Sequence, residues 1–218
     1  MPPRDHPLIV LFAKAPQPGL AKTRLAAEVG EEEAMWLYRL LVERQLRAIP
    51  AGWPMEIHYA PRNAGPEMRA WLGGHHAYVP QSAGDLGERL QSAFAHSFAA
   101  DARAVIAIGS DCPELNAGDF LQAEEVLQRK DAVVGPARDG GYYLIGLRRP
   151  APQLFADVPW STAQVFATTI SHLENAGLSY ELLGVKDDID DVASMRRVAR
   201  HLDVAEPPRR ARQTNTAS

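Results

Sequence analysis

One apolar run and the loop that follows it decide the fold of this chain. Residues 8–25 read Leu-Ile-Val-Leu-Phe-Ala-Lys-Ala-Pro-Gln-Pro-Gly-Leu-Ala-Lys-Thr-Arg-Leu. The first five have the length and composition of a strand buried on both faces. The strand breaks into a loop that contains two prolines and Gly19, and the cations Lys14, Lys22 and Arg24 lie in or beside it. Exposed backbone N–H groups and nearby cations suit a polyphosphate, so the loop predicts a phosphate site.

The amino-acid sequence of this loop excludes two common phosphate-binding motifs. Residues 12–25 contain neither a Gly-x-x-x-x-Gly-Lys-Ser/Thr sequence nor a Gly-x-Gly-x-x-Gly sequence. The sequence therefore indicates phosphate chemistry without the standard cradles of P-loop or dinucleotide-binding proteins.

Composition removes several classes of function. The chain has 218 residues, 46% hydrophobic and 23% charged, with a formal net charge of −4, which is ordinary for a globular protein and unfavourable for non-specific binding of nucleic acid. Its single cysteine, Cys112, cannot form an intrachain disulfide or a cysteine-based zinc site. There is no apolar segment of membrane-spanning length and no signal-peptide pattern, so we expect a cytoplasmic protein without membrane insertion.

Apolar runs alternate with helix-like runs along most of the chain. The predicted strands are 8–13, 55–60, 76–80, 103–109, 131–135, 141–147 and 179–185, and the predicted helices are 31–49, 64–73, 85–99, 117–129, 162–176 and 191–202. This alternation predicts an α/β fold, a three-layer Rossmann-like sandwich with a mainly parallel sheet. We expect one domain over 1–204, with 8–13 and 103–109 as interior strands, and a disordered tail over 205–218.

Two local features refine that prediction. Strands 131–135 and 141–147 are separated by too few residues for a parallel crossover, so either one of them runs antiparallel or they lie in different parts of the sheet. Ser161 and Gln164 match the sequence pattern of a capping box at the start of helix 162–176, and we expect this helix to end at Gly177.

Polar residues follow several of the predicted strands, where open α/β sheets bind their ligands. Asp111 follows strand 103–109, and it reads either as a metal ligand or as a turn-capping aspartate. Four aspartates within 187–191 follow the last strand, and they read either as a metal cluster or as helix N-terminal acids. Residues 139–141, Asp-Gly-Gly, read as a hairpin turn or as a site where a sugar hydroxyl meets Asp139.

The remaining candidates each have a structural alternative. Gln81 precedes the helix predicted at 85–99, and Gly87 lies in its first turn. The N-terminus of this helix either binds an anion or is an ordinary capped helix end. Trp160 is either structural or part of an acceptor pocket. Cys112 fits a small buried residue better than a nucleophile, because no histidine motif accompanies it.

Four of these motifs together resemble a known family. Residues 12–25, Gly109-Ser-Asp-Cys-Pro113, Gly135-Pro-Ala-Arg-Asp-Gly-Gly-Tyr-Tyr-Leu-Ile-Gly146 and Asp188-Ile-Asp190 occur in the order found in the DUF2064 group. That group is assigned to the glycosyltransferases, within the GT-A or nucleotide-diphospho-sugar transferase superfamily. Molybdenum-cofactor nucleotidyltransferases and phospholactate guanylyltransferase are more distant relatives. The resemblance spans residues 7–203 and ends in a departure after Asp190, where this chain reads Asp-Val-Ala-Ser-Met.

The resemblance implies a metal-dependent transferase with a nucleotide donor, which carries a glycosyl group from a nucleotide-diphospho-sugar to a small acceptor. The first alternative is nucleotidyl transfer with release of pyrophosphate, and the second is a nucleotide-binding module without turnover. The cofactor would be Mg²⁺ or Mn²⁺, and a homodimer is compatible with the family. No nucleic-acid partner is expected.

The resemblance also assigns roles to individual residues. Asp111, Lys22 and Arg24 would be catalytic. The nucleotide would be bound by Ala13, Lys14, Gly19, Leu20, Lys22, Arg24, Gln81, Gly87 and Ser110. The acceptor would meet Asp139, Gly140, Gly141 and Trp160, and the metal would be held by Asp111, Asp188 and Asp190.

Overall fold

The computed structural model describes residues 5–198, which contain one seven-stranded sheet and seven α-helices. The strands are Leu8–Lys14 (β1), Met55–Ala60 (β2), Ala77–Pro80 (β3), Val105–Ile108 (β4), Ala132–Pro136 (β5), Tyr142–Leu147 (β6) and Tyr180–Leu182 (β7). The helices are Thr23–Val29 (α1), Glu31–Ala48 (α2), Gly65–Leu72 (α3), Leu86–Ala99 (α4), Ala117–Arg129 (α5), Val165–Asn175 (α6) and Val192–Val198 (α7). A 3-10 turn, Pro152–Phe155, precedes α6. The tail predicted over 205–218 lies outside the described residues.

The sheet has the order β3-β2-β1-β4-β6-β5-β7. All neighbouring strands pair in parallel except β6, which runs antiparallel to both β4 and β5. The short connection between β5 and β6 is thus a hairpin, as the first of the two sequence-based alternatives required. The prediction that β1 and β4 are interior strands is confirmed, since each pairs on both sides.

Helices cover both faces of the sheet, which explains the continuous apolar run of β1. Ile9 and Leu11 pack into one core with residues of α2, α3 and α5, and Leu8 and Val10 pack into a second core with residues of α4 and α6. None of the four side chains is more than 1% exposed. Alternate residues of a strand point to opposite faces, so a strand between two helical layers must be apolar at every position.

The chain differs from the sequence-based prediction at two helix starts. Helix α1 was not predicted; it has only seven residues and follows directly on Lys22, whose φ of 53° is left-handed. Helix α6 starts at Val165 rather than at residue 162, and no side chain caps it, so the predicted capping box of Ser161 and Gln164 is wrong. Ser161 has a left-handed φ of 63°, a backbone conformation that cannot be part of a right-handed helix, so α6 begins after this residue.

Backbone hydrogen bonds tie the loops at the carboxyl ends of β4, β5 and β7 to one another. Arg138 N–H donates to the Lys186 carbonyl over 2.9 Å, and Lys186 N–H donates to the Pro136 carbonyl over 3.1 Å. Ile189 N–H donates to the Asp111 carbonyl over 2.9 Å. The acidic segment after β7 is therefore fixed against the ends of two other strands.

The end of β1 is held by a buried phenol. The Tyr38 hydroxyl accepts a hydrogen bond from Lys14 N–H over 2.6 Å and donates to the Lys14 carbonyl over 2.9 Å. Tyr38 is only 2% exposed, and its burial raises its pKa far above the ordinary value. The neutral phenol therefore satisfies both polar groups of the last residue of β1, just before the cationic loop.

We predict that Tyr38→Phe lowers the free energy of unfolding by about 1–3 kcal/mol, because it leaves both backbone groups of Lys14 without this partner. Tyr180→Phe is the matched control: its exposed hydroxyl donates to Glu174 over 3.1 Å, and its loss should cost less than about 0.5 kcal/mol. Urea denaturation followed by circular dichroism measures both values. Equal costs in the two variants would contradict the clamping role of Tyr38.

Candidate functional site

A cavity of about 560 Å³ opens at the carboxyl ends of the strands, a size typical of small-molecule sites. Seven of the residues predicted as site residues line it together: Arg24, Asp111, Asp139, Gly141, Trp160, Asp188 and Asp190. Arg24 lies in the first turn of α1, and the others come from the segments after β4, β5 and β7 and from the segment before α6. The convergence of strand ends thus brings the predicted acidic residues to one place.

The ammonium group of Lys22 lies between two of these carboxylates. Its Nζ atom is 2.7 Å from Asp111 Oδ1 and 3.4 Å from Asp190 Oδ1, and it also donates to the Ile189 carbonyl. The Lys22 side chain is 2% exposed, whereas the Asp111 and Asp190 side chains are 38% and 40% exposed. Lys22 therefore approaches the carboxylates from inside the protein and leaves them open toward the cavity.

Asp188 is the most perturbed group of the site. Burial raises the pKa of its carboxyl to about 7, and the nearby charges of Asp111 and Asp139 add to the shift while Lys22 opposes it. Its Oδ1 atom is buried and has no hydrogen-bond partner among the described residues. A carboxylate in this position is costly unless a cation or a proton compensates it.

The donor set fits a hard divalent cation. Mg²⁺ and Mn²⁺ prefer carboxylate oxygens, and Asp111, Asp188 and Asp190 present such oxygens at one cavity wall. The unpartnered Asp188 Oδ1 is a further oxygen in need of a cation. Within residues 5–198, however, no three His, Cys, Asp or Glu side chains stand in an arrangement that could hold a metal ion as they are.

Helix α2 and the segment around Lys186 hold these carboxylates in place. From α2, Arg44 Nε donates to the Pro113 carbonyl over 2.6 Å, and the Gln45 amide donates to the Cys112 carbonyl. Lys186 pairs with Asp119 of α5 over 3.1 Å. The backbone of the loop that carries Asp111 is thus anchored by side chains of α2. The Cys112 side chain is buried, and burial raises its thiol pKa well above the ordinary value, as the structural interpretation of this residue requires.

The opposite wall is formed by a tightly packed loop. Trp160 lies edge-on to Tyr142, with 6.4 Å between ring centroids. Gly140 has a φ of 93°, and a Cβ atom there would lie 2.3 Å from the Ala163 carbonyl oxygen. Gly140 therefore serves both the hairpin turn and the close approach of the loop that carries Trp160, which places the indole beside the acidic wall.

Other predicted site residues do not line the cavity in the part of the chain that the structure describes: Ala13, Lys14, Gly19, Leu20, Lys22, Gln81, Gly87, Ser110 and Gly140. The Gln81 amide donates to the carbonyls of His58, over 2.7 Å, and Ala13, over 3.3 Å. Leu20 N–H donates to the Gln17 carbonyl over 3.2 Å, within the loop. Acceptor binding by Gly140 and nucleotide binding by the other residues stay predictions.

The structural alternatives hold at two helix ends. Asp85 and Glu88 form a reciprocal capping box at the start of α4, and Arg89 donates to the Gly84 carbonyl over 3.0 Å. Asp191 accepts from Ser194 N–H over 2.7 Å at the start of α7. One of the four acidic residues within 187–191 is therefore a helix-capping residue, as its local sequence allowed.

Sequence reasoning missed several residues that line the cavity: Leu86, Tyr142, Ser161, Thr162, Ala163, Val165, Asp191 and Ser194. Tyr142 and Asp191 directly follow the predicted site residues Gly141 and Asp190 in the sequence. Their position in the sequence could therefore have indicated that they line the cavity. Nothing in the sequence marks 161–163, because their position depends on the left-handed Ser161 and on the contact with Gly140.

The fold is that of the nucleotide-diphospho-sugar transferases. A structure of a "putative nucleotide-diphospho-sugar transferase" from Desulfovibrio desulfuricans G20 is 34% identical, covers 91% of this chain and 88% of its own, and has a TM-score of 0.85. The chain belongs to the DUF2064 family: the family model, described as "Uncharacterized protein conserved in bacteria (DUF2064)", matches residues 45–162, more than half of it.

More distant structures share the fold alone. A CMP:2-keto-3-deoxy-manno-octonic acid synthetase complexed with CTP is 16% identical, covers 90% of this chain and 100% of its own, and has a TM-score of 0.54. Rv0371c from Mycobacterium tuberculosis H37Rv, solved in complex with manganese, is 14% identical with the same coverages and TM-score. No curated protein matches this chain in sequence.

Across the described residues, the helices are too short or too polar to cross a membrane.

We predict that Asp188→Asn stabilises the metal-free protein in a pH-dependent way. The folded-state pKa of Asp188, about 7, lies above its ordinary value of 3.8, so ionisation of this carboxyl destabilises the fold. That cost is present in full above pH 7 and disappears as the pH falls toward about 4. The variant should therefore gain about 2–4 kcal/mol at pH 8 and progressively less at pH 6 and pH 5.

Urea denaturation in EDTA at these three pH values measures the effect. Asp157→Asn is the control, because Asp157 is exposed and its left-handed φ of 54° suits asparagine. A gain for Asp188→Asn that is the same at every pH would contradict the assignment.

Proposed function

We propose that this protein is a metal-dependent transferase that carries a glycosyl group from a nucleotide-diphospho-sugar to a small acceptor. The observation that carries the proposal is the meeting of Asp111, Asp188 and Asp190 with Arg24 at one cavity. Carboxylates for a divalent ion and a cation for phosphate oxygens are the two parts that a nucleotide-donor transferase requires. The likeness to the Desulfovibrio protein supports the same class of donor.

The charge of the cavity is the second observation that supports the proposal of metal dependence. Among the described residues its lining contains five aspartates and one cation, Arg24. A diphosphate would be repelled by such a wall unless a divalent ion stood between the phosphates and the carboxylates. The charge of the wall therefore supports a metal-dependent reaction.

Each group would have a separate task in the reaction. A divalent ion held by Asp111, Asp188 and Asp190 would stabilise the negative charge that develops on the leaving nucleoside diphosphate. Arg24 and Lys22 would bind phosphate oxygens of the donor, because charge-assisted hydrogen bonds to phosphate are short and strong. Asp139 would accept a hydrogen bond from a hydroxyl group of the acceptor. The indole of Trp160 would pack against a ring of the acceptor.

Nucleotidyl transfer is the second candidate. It is favoured by the three cations Lys14, Lys22 and Arg24 around the first loop, which suit a triphosphate. A nucleotide-binding module without turnover is the third, and it would bind its ligand without a metal ion. The three readings differ in the donor, the leaving group and the need for metal.

One titration series separates them. Nucleoside triphosphates and nucleotide-diphospho-sugars are titrated by calorimetry in Mn²⁺ and in EDTA, and the best ligands are then tested for turnover with a panel of small acceptors. Our proposal expects metal-dependent binding of a diphospho-sugar and release of nucleoside diphosphate. Binding of a triphosphate with release of pyrophosphate would establish the second candidate, and equal binding in EDTA would establish the third.

We predict that Asp111→Asn abolishes the metal-dependent part of nucleotide binding, because an amide is a poor ligand for a hard divalent ion. The control is Asp101→Asn, which changes an exposed aspartate with a left-handed φ of 60° and should leave binding unchanged. Calorimetric titration in Mn²⁺ gives both affinities. Retained metal-dependent binding in the Asp111 variant would mean that Asp111 only shapes its turn.

We predict that Arg24→Ala weakens nucleotide binding by about 1.5–3 kcal/mol, the worth of a charge-assisted hydrogen bond. Arg39→Ala serves as the control, since Arg39 is exposed on α2, where its guanidinium stacks on Trp71 at 5.6 Å. The same calorimetric titration compares the two variants with the unchanged protein. Equal affinities for Arg24→Ala and Arg39→Ala would remove Arg24 from the donor site.

A further inference from the structure

The ammonium group of Lys22 has three oxygen atoms around it. It donates hydrogen bonds to the Ile189 carbonyl and, over 3.4 Å, to Asp190 Oδ1, and it forms an ion pair with Asp111 Oδ1 at 2.7 Å. An ammonium group has three donors and no acceptor, so it requires oxygens of this kind. The oxygens that surround it are the type that also surrounds a divalent cation.

The backbone around this ammonium group is held by a hydrogen bond and by a buried side chain. Ile189 N–H is bonded to the Asp111 carbonyl over 2.9 Å, which fixes the spacing between the two acidic segments. The Ile189 side chain is fully buried in a small core with Leu25 of α1 and Leu37 of α2. The backbone of Lys22 precedes α1 directly and packs with it. The flexible four-carbon stem of Lys22 is the part of this arrangement that could change conformation without breaking these backbone contacts.

A divalent ion bound by Asp111 and Asp190 would come within a few ångströms of the ammonium group. Metal–oxygen distances are about 2.1 Å for Mg²⁺, so both cations would compete for the same two carboxylates. Like charges at that separation repel strongly in a partly buried site.

We propose that Lys22 is an internal counter-ion that stands in for the divalent metal, and that it leaves Asp111 and Asp190 only when a nucleotide brings phosphate oxygens for it to bind. This proposal rests on the proposed function, because it assigns the metal to these carboxylates. In this proposal Lys22 couples the two ligands: metal alone binds weakly, and metal and nucleotide bind together.

The test is Mn²⁺ binding in the absence of nucleotide, measured by electron paramagnetic resonance of free Mn²⁺. The variants are Lys22→Met, which removes the charge, and Lys22→Gln, which keeps a donor for the Ile189 carbonyl. We expect both to bind Mn²⁺ at least about tenfold more tightly than the unchanged protein, because one nearby positive charge is gone. Lys22→Arg keeps the charge and should bind Mn²⁺ as weakly as the unchanged protein.

A second readout covers the risk that loss of an internal counter-ion unfolds the variants. Mn²⁺ should raise the melting temperature of Lys22→Met and Lys22→Gln by several degrees and leave that of the unchanged protein almost unaffected. Variants that stay unfolded in Mn²⁺ would overturn the proposal, since the ion is expected to replace the ammonium group.

The remaining outcomes separate this proposal from the function on which it rests. Equal Mn²⁺ affinity in the unchanged protein and the variants, together with metal-dependent nucleotide binding, would overturn the role of Lys22 alone. If the unchanged protein binds no nucleotide in Mn²⁺ and neither variant binds Mn²⁺, the proposed function fails as well.

Discussion

The ion pair between Lys22 and Asp111 is the interaction on which the acidic site depends. It joins the loop after β1 to the loop after β4, and the same ammonium group reaches Asp190 and the Ile189 carbonyl, 167 residues away along the chain. Carboxylates gathered at one sheet edge repel one another, so their convergence needs a positive charge that belongs to the protein. Because the lysine is buried and the carboxylates are partly exposed, the charge is supplied from behind while the cavity stays open to ligands.

The direction of β6 decides how many loops reach this cavity. In a fully parallel sheet the chain would return after β5 through a long crossover, and the turn after Pro136 would be lost. Since β6 runs antiparallel, the hairpin turn with Asp139 lies at the same edge as the carboxyl ends of β1 and β4. The parallel pairing of β7 with β5 then brings Asp188 and Asp190 to that edge as well.

The sequence predicted those parts of the molecule that follow from local pattern and connection length. Continuous apolar runs placed β1 and β4 inside the sheet, a short connection required an antiparallel pair, and residues at strand ends converged as expected. The partners of Lys22 were missed, because the sequence placed this cation on phosphates and nothing local couples it to Asp190. The predicted start of α6 was also wrong: Ser161 has a left-handed φ, and the loop before the helix packs against Gly140 through Ala163. Tertiary contacts of this kind leave no periodic trace in a sequence.

The two edge strands of the sheet, β3 and β7, are short. Strand β3 has four residues and ends in Pro80, and β7 has three, one of which, Glu181, is paired with Arg129 over 2.6 Å. An edge strand with few free N–H and carbonyl groups, a proline or a charged side chain is a poor template for another chain. The apolar interior strands are thus flanked on both sides by short strands that offer little edge for pairing with another chain.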